Sequence, residues 1–404
     1  MNMPGHESEN KTNVPSSVEI AIVGAGPAGL ATACALRKHG ISVAVLDAAP
    51  KPSSYSRATI IHCDTLKALD SIDVAEHVVS KGIPISAINA WTQNVCLASI
   101  PIRQEDEKYA TSVAMPQNQL EEILSSRLDS LGGTFIRGAT VSGITDSGHA
   151  VHLVVLGAAG SRTEISADYV VAADGLHSMI RQMLGIAFEG GDYIESMLAA
   201  DCRLDTTGQF SLVPNEASVC FGSDGFVLFM PETPDIWRVL VPLKNAPKGI
   251  DAVQLQKLVN KRAPPGIQVQ HVIWSNRFRI HHRHAQTYRK GRVFLVGDAA
   301  HTFSPIGGQG MNLGIQEGIT LARILRVATD ERNDTDTHLA RYEEMRRSVA
   351  TDAMSMTHKF TTVGQWKSSW ARCVRNWYIE LFMQISGLQL NKAQEIRILD
   401  GYNL

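Results

Sequence analysis

Three clusters of glycine and acid carry the chemistry that this chain could perform. The first is Gly24-Ala25-Gly26-Pro27-Ala28-Gly29, a GxGxxG. In such a turn the first glycine allows the sharp bend and the second lets backbone N–H groups approach a pyrophosphate. The third lets the following helix pack closely on its strand. Asp47 closes the next apolar run, about twenty residues on, where a carboxylate can accept hydrogen bonds from ribose hydroxyls. These residues specify a dinucleotide site without saying which dinucleotide.

The surrounding elements fit that placement. Residues 18–23 (VEIAIV) read as a buried parallel strand, LATACALRKHG as a helix closed by Gly40, and ISVAVLD as a second buried strand. This βαβ unit opens a doubly wound sheet. Helices are expected around 62–82 and 116–132, and YVVAAD ends the stretch 134–173 as another buried strand. Between about 190 and 290 the pattern changes to alternating segments such as SVCFG, FVLFM and WRVLVPL, which predict an antiparallel sheet. RVFLVGD returns to the parallel pattern, a helix follows over 311–328, and 338–388 reads as mainly helical. The chain's 404 residues exceed a single domain of roughly 150. The expected division is a tail over 1–17, an interleaved nucleotide-binding domain over 18–190 and 290–330, a substrate-binding β-sheet domain over 190–290, and a helical segment over 331–404.

The second and third clusters narrow the dinucleotide. Asp174-Gly175 follows a strand and precedes His177, Ser178 and Arg181; Gly297-Asp298 ends a strand ahead of Pro305, Gly307, Gly308, Gly310, Met311 and Asn312. A strand that delivers Asp298 to its exposed end can bond the hydroxyls of a sugar alcohol. Glycines before a helix start expose N–H groups, with partial positive charge, to an anionic edge.

In combination, GxGxxG, DGxxSxxR and GDAAHxxxPxGGQGMN resemble the class A flavoprotein monooxygenases, the family of para-hydroxybenzoate hydroxylase. The resemblance runs from about Val18 to about Arg347. It implies a Rossmann-like α/β FAD-binding domain with an inserted, mainly antiparallel β-sheet domain and C-terminal helices. It implies that Gly24, Gly26, Pro27, Ala28, Gly29 and Asp47 hold the adenosine diphosphate, with Arg57 on its phosphates. Gln117, Gly297, Asp298, Pro305, Gly307, Gly308, Gly310, Met311 and Asn312 then serve the flavin half, while Asp174 belongs with Arg181 to a fingerprint shared by FAD and NADPH sites. Arg57, His177 and Arg181 are the NAD(P)H candidates, and Pro305 is the candidate for positioning substrate. Asp47 stands where the family usually has Glu, and Glu317-Gly318 replaces the more usual Asp-Ala.

The activity so implied is oxygen insertion. FAD reduced by NAD(P)H, NADPH being favoured, would react with O2 to a C4a-hydroperoxide that hydroxylates an aromatic or electron-rich small molecule of secondary metabolism or aromatic degradation. Epoxidation, Baeyer–Villiger oxidation, a flavin-dependent reductase and a catalytically silent flavin module stay open as alternatives. No second strand-GxGxxG-helix unit and no CxxC is present, against the disulfide-reductase design, and no WxWxIP, against the halogenases. Arg203, Phe221, Phe229 and Arg238 are candidate substrate contacts, with strand parity undecided.

Composition supports an ordinary enzyme: 44% hydrophobic, 19% charged and a formal charge of -2, with nothing that calls for nucleic acid. Scattered cysteines suit a reducing compartment. The polar start lacks an apolar h-region and no run of about eighteen apolar residues occurs, so a cytoplasmic monomer or homodimer without membrane insertion is expected. His281, His282 and His284 lack the spacing and partners of a metal site. His301 reads as a structural hydrogen-bonding residue, and the segment with Trp366, Trp370, Trp377 and Phe382 as core or partner packing.

Overall fold

The computed structural model describes residues 15–52, 58–92, 95–102, 108–157, 160–208, 210–328, 335–366, 368, 370–377 and 379. The first apolar run forms the strand Ser17–Val23, in which Ile20, Ala21 and Ile22 are fully buried. Burial on both faces is why this run is continuously apolar and does not alternate. It pairs in parallel with Val43–Asp47 on one side and Arg162–Ala172 on the other. Thr134–Arg137 and Val293–Leu295 extend the parallel set outward. Strand order therefore reverses beside Ser17–Val23, and the crevice at the carboxyl ends of strands at such a switch point is where doubly wound sheets bind ligands.

Two helices lock this sheet at unusually short range. Pro27–Lys38 carries glycine and alanine toward Gln309–Ala328, which answers with Gly314 and Gly318. A Cβ on Gly318 would stand 2.1 Å from Thr32 Oγ1 and 2.8 Å from the Ala28 carbonyl oxygen, so the two helix backbones touch where any side chain would wedge them apart. Glu317-Gly318, a departure without an evident consequence in the sequence, is thus partly explained by helix packing.

Among the described residues the second sheet has eight strands. Its spine is the antiparallel pair Phe188–Asp205 and Gln268–Ala285, joined by Glu216–Phe221, Phe226–Thr233 and Ile236–Leu243. Breaks in register at Asp192/Ser196, Asp201/Cys202 and Arg203/Leu204 let the long strands bend. Two further strands, Ala87–Thr92 and Val95–Pro101, come from outside 190–290, and the first pairs in parallel with Glu216–Phe221. The short strand His301–Thr302 pairs with Arg283 and His284. The chain leaving the parallel sheet at Gly297 thereby enters the antiparallel one within a few residues.

The helix Thr335–Gly364 packs back on both layers, with the buried Tyr342 hydroxyl donating to the Leu295 carbonyl at 2.8 Å. A shorter helical stretch over 370–377 follows. Trp366 is half-buried, whereas Trp370 and Trp377 are 72% and 62% exposed, so the latter two do not join the core. Phe382 lies outside the described residues. Among those residues no helix is long and apolar enough to cross a membrane.

Candidate active site

The turn Gly24–Gly29 is fixed by steric exclusion. Gly24 sits at φ +104°, and a Cβ there would lie 2.3 Å from the Ala173 carbonyl oxygen. A Cβ on Gly29 would lie 2.1 Å from the Gly24 oxygen. Gly26 is the exception, because a Cβ there meets nothing within 4 Å. Only glycine fits the first two positions, while the space over Gly26, at the start of Pro27–Lys38, is open for a ligand. The shorter side chain of Asp47 turns inward: its Oδ2 accepts from Ala25 N at 2.6 Å and its Oδ1 from Ala49 N at 2.7 Å. A carboxylate expected on ribose also holds the turn itself.

The Asp174-Gly175 loop lies against this turn. Asp174 Oδ2 accepts from Ile180 N at 3.1 Å, while Oδ1 is buried without a partner, and burial raises this carboxyl above its ordinary range. Arg181 is buried. Its guanidinium donates to the Ala299 and Leu176 carbonyls, each at 2.9 Å, and lies 3.8 Å from the Phe188 ring. It ties this loop to the Gly297 loop, whereas His177 is exposed beside it. Arg57 lies outside the described residues.

At the third cluster, Gly297 is held from behind by Glu317. This fully buried carboxylate accepts from Gly297 N at 2.8 Å and bonds His301 Nε2 at 2.6 Å. Burial pushes the Glu317 carboxyl up, but the His301 imidazole and the Gly297 amide outweigh it and leave it below its usual range. His301 thus has the structural bond the sequence suggested. Of its histidine neighbours, His284 takes a 2.6 Å bond with Tyr288, its imidazole pushed down to about 4 by burial and by His301. His281 bonds Asp192 at 2.8 Å. Asp298, one residue beyond Gly297, is exposed at the strand end.

The glycine loop 307–310 is held differently. The segment 58–62 runs across it. Asn312 accepts from His62 N at 2.9 Å and donates to the Ile60 and Gly308 carbonyls at 2.9 and 2.7 Å. The His62 ring bonds the Gly307 carbonyl at 2.9 Å. Gly308, at φ +64°, approaches Ile60 so closely that a Cβ would stand 2.1 Å from its Cγ2. Gln117 accepts from Ala58 N at 3.2 Å, bracing the same segment. Gly310, like Gly26, has no atom within 4 Å of a Cβ, and Met311 beside it is half-buried in the first turn of the helix. The two open glycines stand on helices packed together, Ala28 lying 3.2 Å from a Cβ placed on Gly314.

Between this loop, the second sheet and Thr335–Gly364 lies a cavity of about 300 Å³. Strand parity, undecided in the sequence, is resolved here. Phe226, Leu228 and Met230 line the cavity, while Val227 and Phe229 face the core on the other side of the sheet. Of the four candidate contacts, Phe221 lines the cavity. Phe229 is turned away, Arg203 is exposed, and Arg238 is buried in ion pairs with Asp201 at 2.8 Å and Glu232 at 3.2 Å. Pro305 is half-buried next to the lining residues Ile306, Gly307 and Gly308. Sequence reasoning passed over His62, Asn89, Met356 and Phe360, all on the cavity wall. A polar pair, His62 and Asp64, at the start of an otherwise amphipathic helix was the signal for the first. Nothing local marks the others.

Open space over Gly26 and Gly310 and the orphaned Asp174 oxygen fit a group with a pyrophosphate at one end and a hydrogen-bonding ring at the other. The comparisons with known proteins agree. A family model described as FAD binding domain matches residues 17–357. YhjG of Bacillus subtilis, named as an uncharacterized aromatic compound monooxygenase, is 30% identical over 317 residues, covering 77% of this chain; the chain spans 62% of that protein's length. Rifampicin monooxygenase of Streptomyces venezuelae is 30% identical over 343 residues, 84% of this chain and 70% of that one. In fold, the p-nitrophenol 4-monooxygenase PnpA of Pseudomonas putida superposes with a TM-score of 0.83 at 24% identity, covering 94% of this chain and 98% of that one. The chain belongs to the FAD-binding family of class A flavoproteins, that of the aromatic hydroxylases.

Proposed function

We propose that this chain is a monooxygenase that uses FAD, NAD(P)H and O2 to hydroxylate an aromatic or comparably electron-rich small molecule. The observation that carries the reading is the cavity: a largely apolar chamber with the glycine loop 307–310 as one wall and the antiparallel sheet as another. Bound FAD supplies hydride acceptance and the activation of O2 for transfer of one oxygen atom. The chain's own residues do the rest.

Gly24, Gly26, Pro27, Ala28 and Gly29 would cradle the pyrophosphate, with Asp47 on the adenosine side. Gly297, Asp298 and Gln117 would face the ribityl half, and Gly307, Gly308, Gly310, Met311 and Asn312 the ring. The start of Gln309–Ala328 would stabilise negative charge at the ring's edge. Phe221, Phe226, Leu228 and Met230 would pack on a flat apolar substrate and exclude water, with Pro305 stiffening the loop beside it. Exposed His177 is the described residue we assign to a passing NADPH, and a cytoplasmic location would suit that co-substrate. Names such as rifampicin monooxygenase among the relatives support a polycyclic or phenolic substrate.

The test is a substrate screen on the FAD-loaded protein, following NADPH and O2 consumption and product mass. Stimulated consumption with a product one oxygen atom heavier is expected. Colourless protein that binds no FAD, or NADPH oxidation without oxygen uptake, contradicts the reading; the latter outcome marks a reductase.

A further inference from the structure

The cavity wall carries few polar groups, and two of them, His62 and Ser112, touch each other. The geometry fixes the proton on His62. A backbone carbonyl can only accept, so the 2.9 Å bond to the Gly307 oxygen requires Nε2 to carry hydrogen. In the neutral ring Nδ1 is then an acceptor. Its neighbour is the Ser112 hydroxyl at 3.4 Å, at the outer limit for such a bond. Burial lowers the imidazole below its ordinary value, which keeps the ring neutral, while Asp64 on the same helix pulls the other way. The remaining groups on the ring are Gly307 from the loop and Ser112 from the strand Ser112–Ala114.

We propose that His62 determines substrate specificity: Nδ1 accepts a hydrogen bond from a hydroxyl of the aromatic substrate while Nε2 anchors the glycine loop through Gly307. The two ring nitrogens thereby join substrate recognition to the wall beside the flavin. This inference rests on the function proposed above and names the group that site would select.

Two substitutions separate the nitrogens. The amide of His62→Gln reaches the position of Nε2 and keeps a donor for Gly307 but leaves no acceptor at Nδ1. His62→Asn offers its amide oxygen near Nδ1 and abandons Gly307. The probes are 1-naphthol and 1-methylnaphthalene, alike in size and different in the hydroxyl, with binding to the FAD-loaded protein read from the flavin absorbance. In His62→Gln the affinity ratio of naphthol to methylnaphthalene should fall about 10-fold, the worth of one neutral hydrogen bond, with FAD affinity kept. In His62→Asn the ratio should hold while FAD affinity drops. An unchanged ratio in His62→Gln, or wild-type protein that binds neither probe, overturns the proposal. Oxygen uptake across the substrate screen is recorded separately on wild-type protein: NADPH oxidation without any oxygen uptake sinks the monooxygenase reading, whereas uptake with an unchanged ratio sinks His62 alone.

Discussion

The two glycine loops look alike in sequence and are built on different physics. At 24–29, backbone meets backbone: Gly24 and Gly29 have carbonyl oxygens where a Cβ would be. At 307–312, side chains do the holding, with Asn312 and His62 bonding the backbone of Gly307, Gly308 and Ile60. The first loop has one permitted shape. The second has a shape set by polar contacts, each worth about 1 kcal/mol net, and these contacts also border the cavity. In the function proposed above, the sterically fixed loop would hold the pyrophosphate and the loop held by polar contacts would face the reacting ring, at the end of the cofactor where the chemistry would happen.

Substitutions should expose that contrast. The largest effect is expected from Gly29→Ala, where helix and strand must separate at a cost on the order of 3 kcal/mol or more, read as a lowered melting temperature and little soluble protein. Glu317→Ala leaves the Gly297 amide and His301 without their buried acceptor and should cost about 3 kcal/mol in urea unfolding. Its pH dependence has a definite sign. The folded carboxyl lies below its unfolded value of about 4.3, so the contribution is complete at neutral pH. It is lost as pH falls below that value through the folded one, and the gap between wild type and Glu317→Gln should close on acidification.

Asn312→Ala should cost about 2 kcal/mol, because His62 N and the Ile60 and Gly308 carbonyls lose a buried partner. Unlike Gly29→Ala, it should leave soluble protein with weakened FAD binding. The smallest effect on the fold is expected from Gly26→Ala. Its φ of -72° suits alanine and its Cβ meets no protein atom, so stability should shift by no more than about 0.5 kcal/mol. FAD affinity, measured by fluorescence quenching, should nonetheless fall at least ~10-fold, because the methyl fills the phosphate cradle.

The same contrast explains what could be read in advance. A turn forced by sterics writes itself into consecutive residues, so Gly24 to Gly29, Asp47 and the strands around them were legible. Glu317 was visible as an oddity, but its purpose depends on His301 and Gly297, which helix packing brings to it. Phe226–Thr233 was legible as a strand, yet its opening residues are apolar on both faces, so the inner face depends on which side the sheet meets the glycine loop. Arg238 was a candidate substrate contact by its place on the insert, but a buried guanidinium needs an anion, and Asp201 and Glu232 supply it from neighbouring strands. Met356 and Phe360 reach the cavity from a helix whose docking no local pattern records.

Equilibrium titration of the cofactor-free protein with FAD and with FMN tests the central claim most directly. A site that holds a pyrophosphate at Gly26 and a ring at Gly310 predicts one FAD per chain, bound at least ~100-fold more tightly than FMN. Equal affinity for the two, or no saturable binding of FAD, would contradict it.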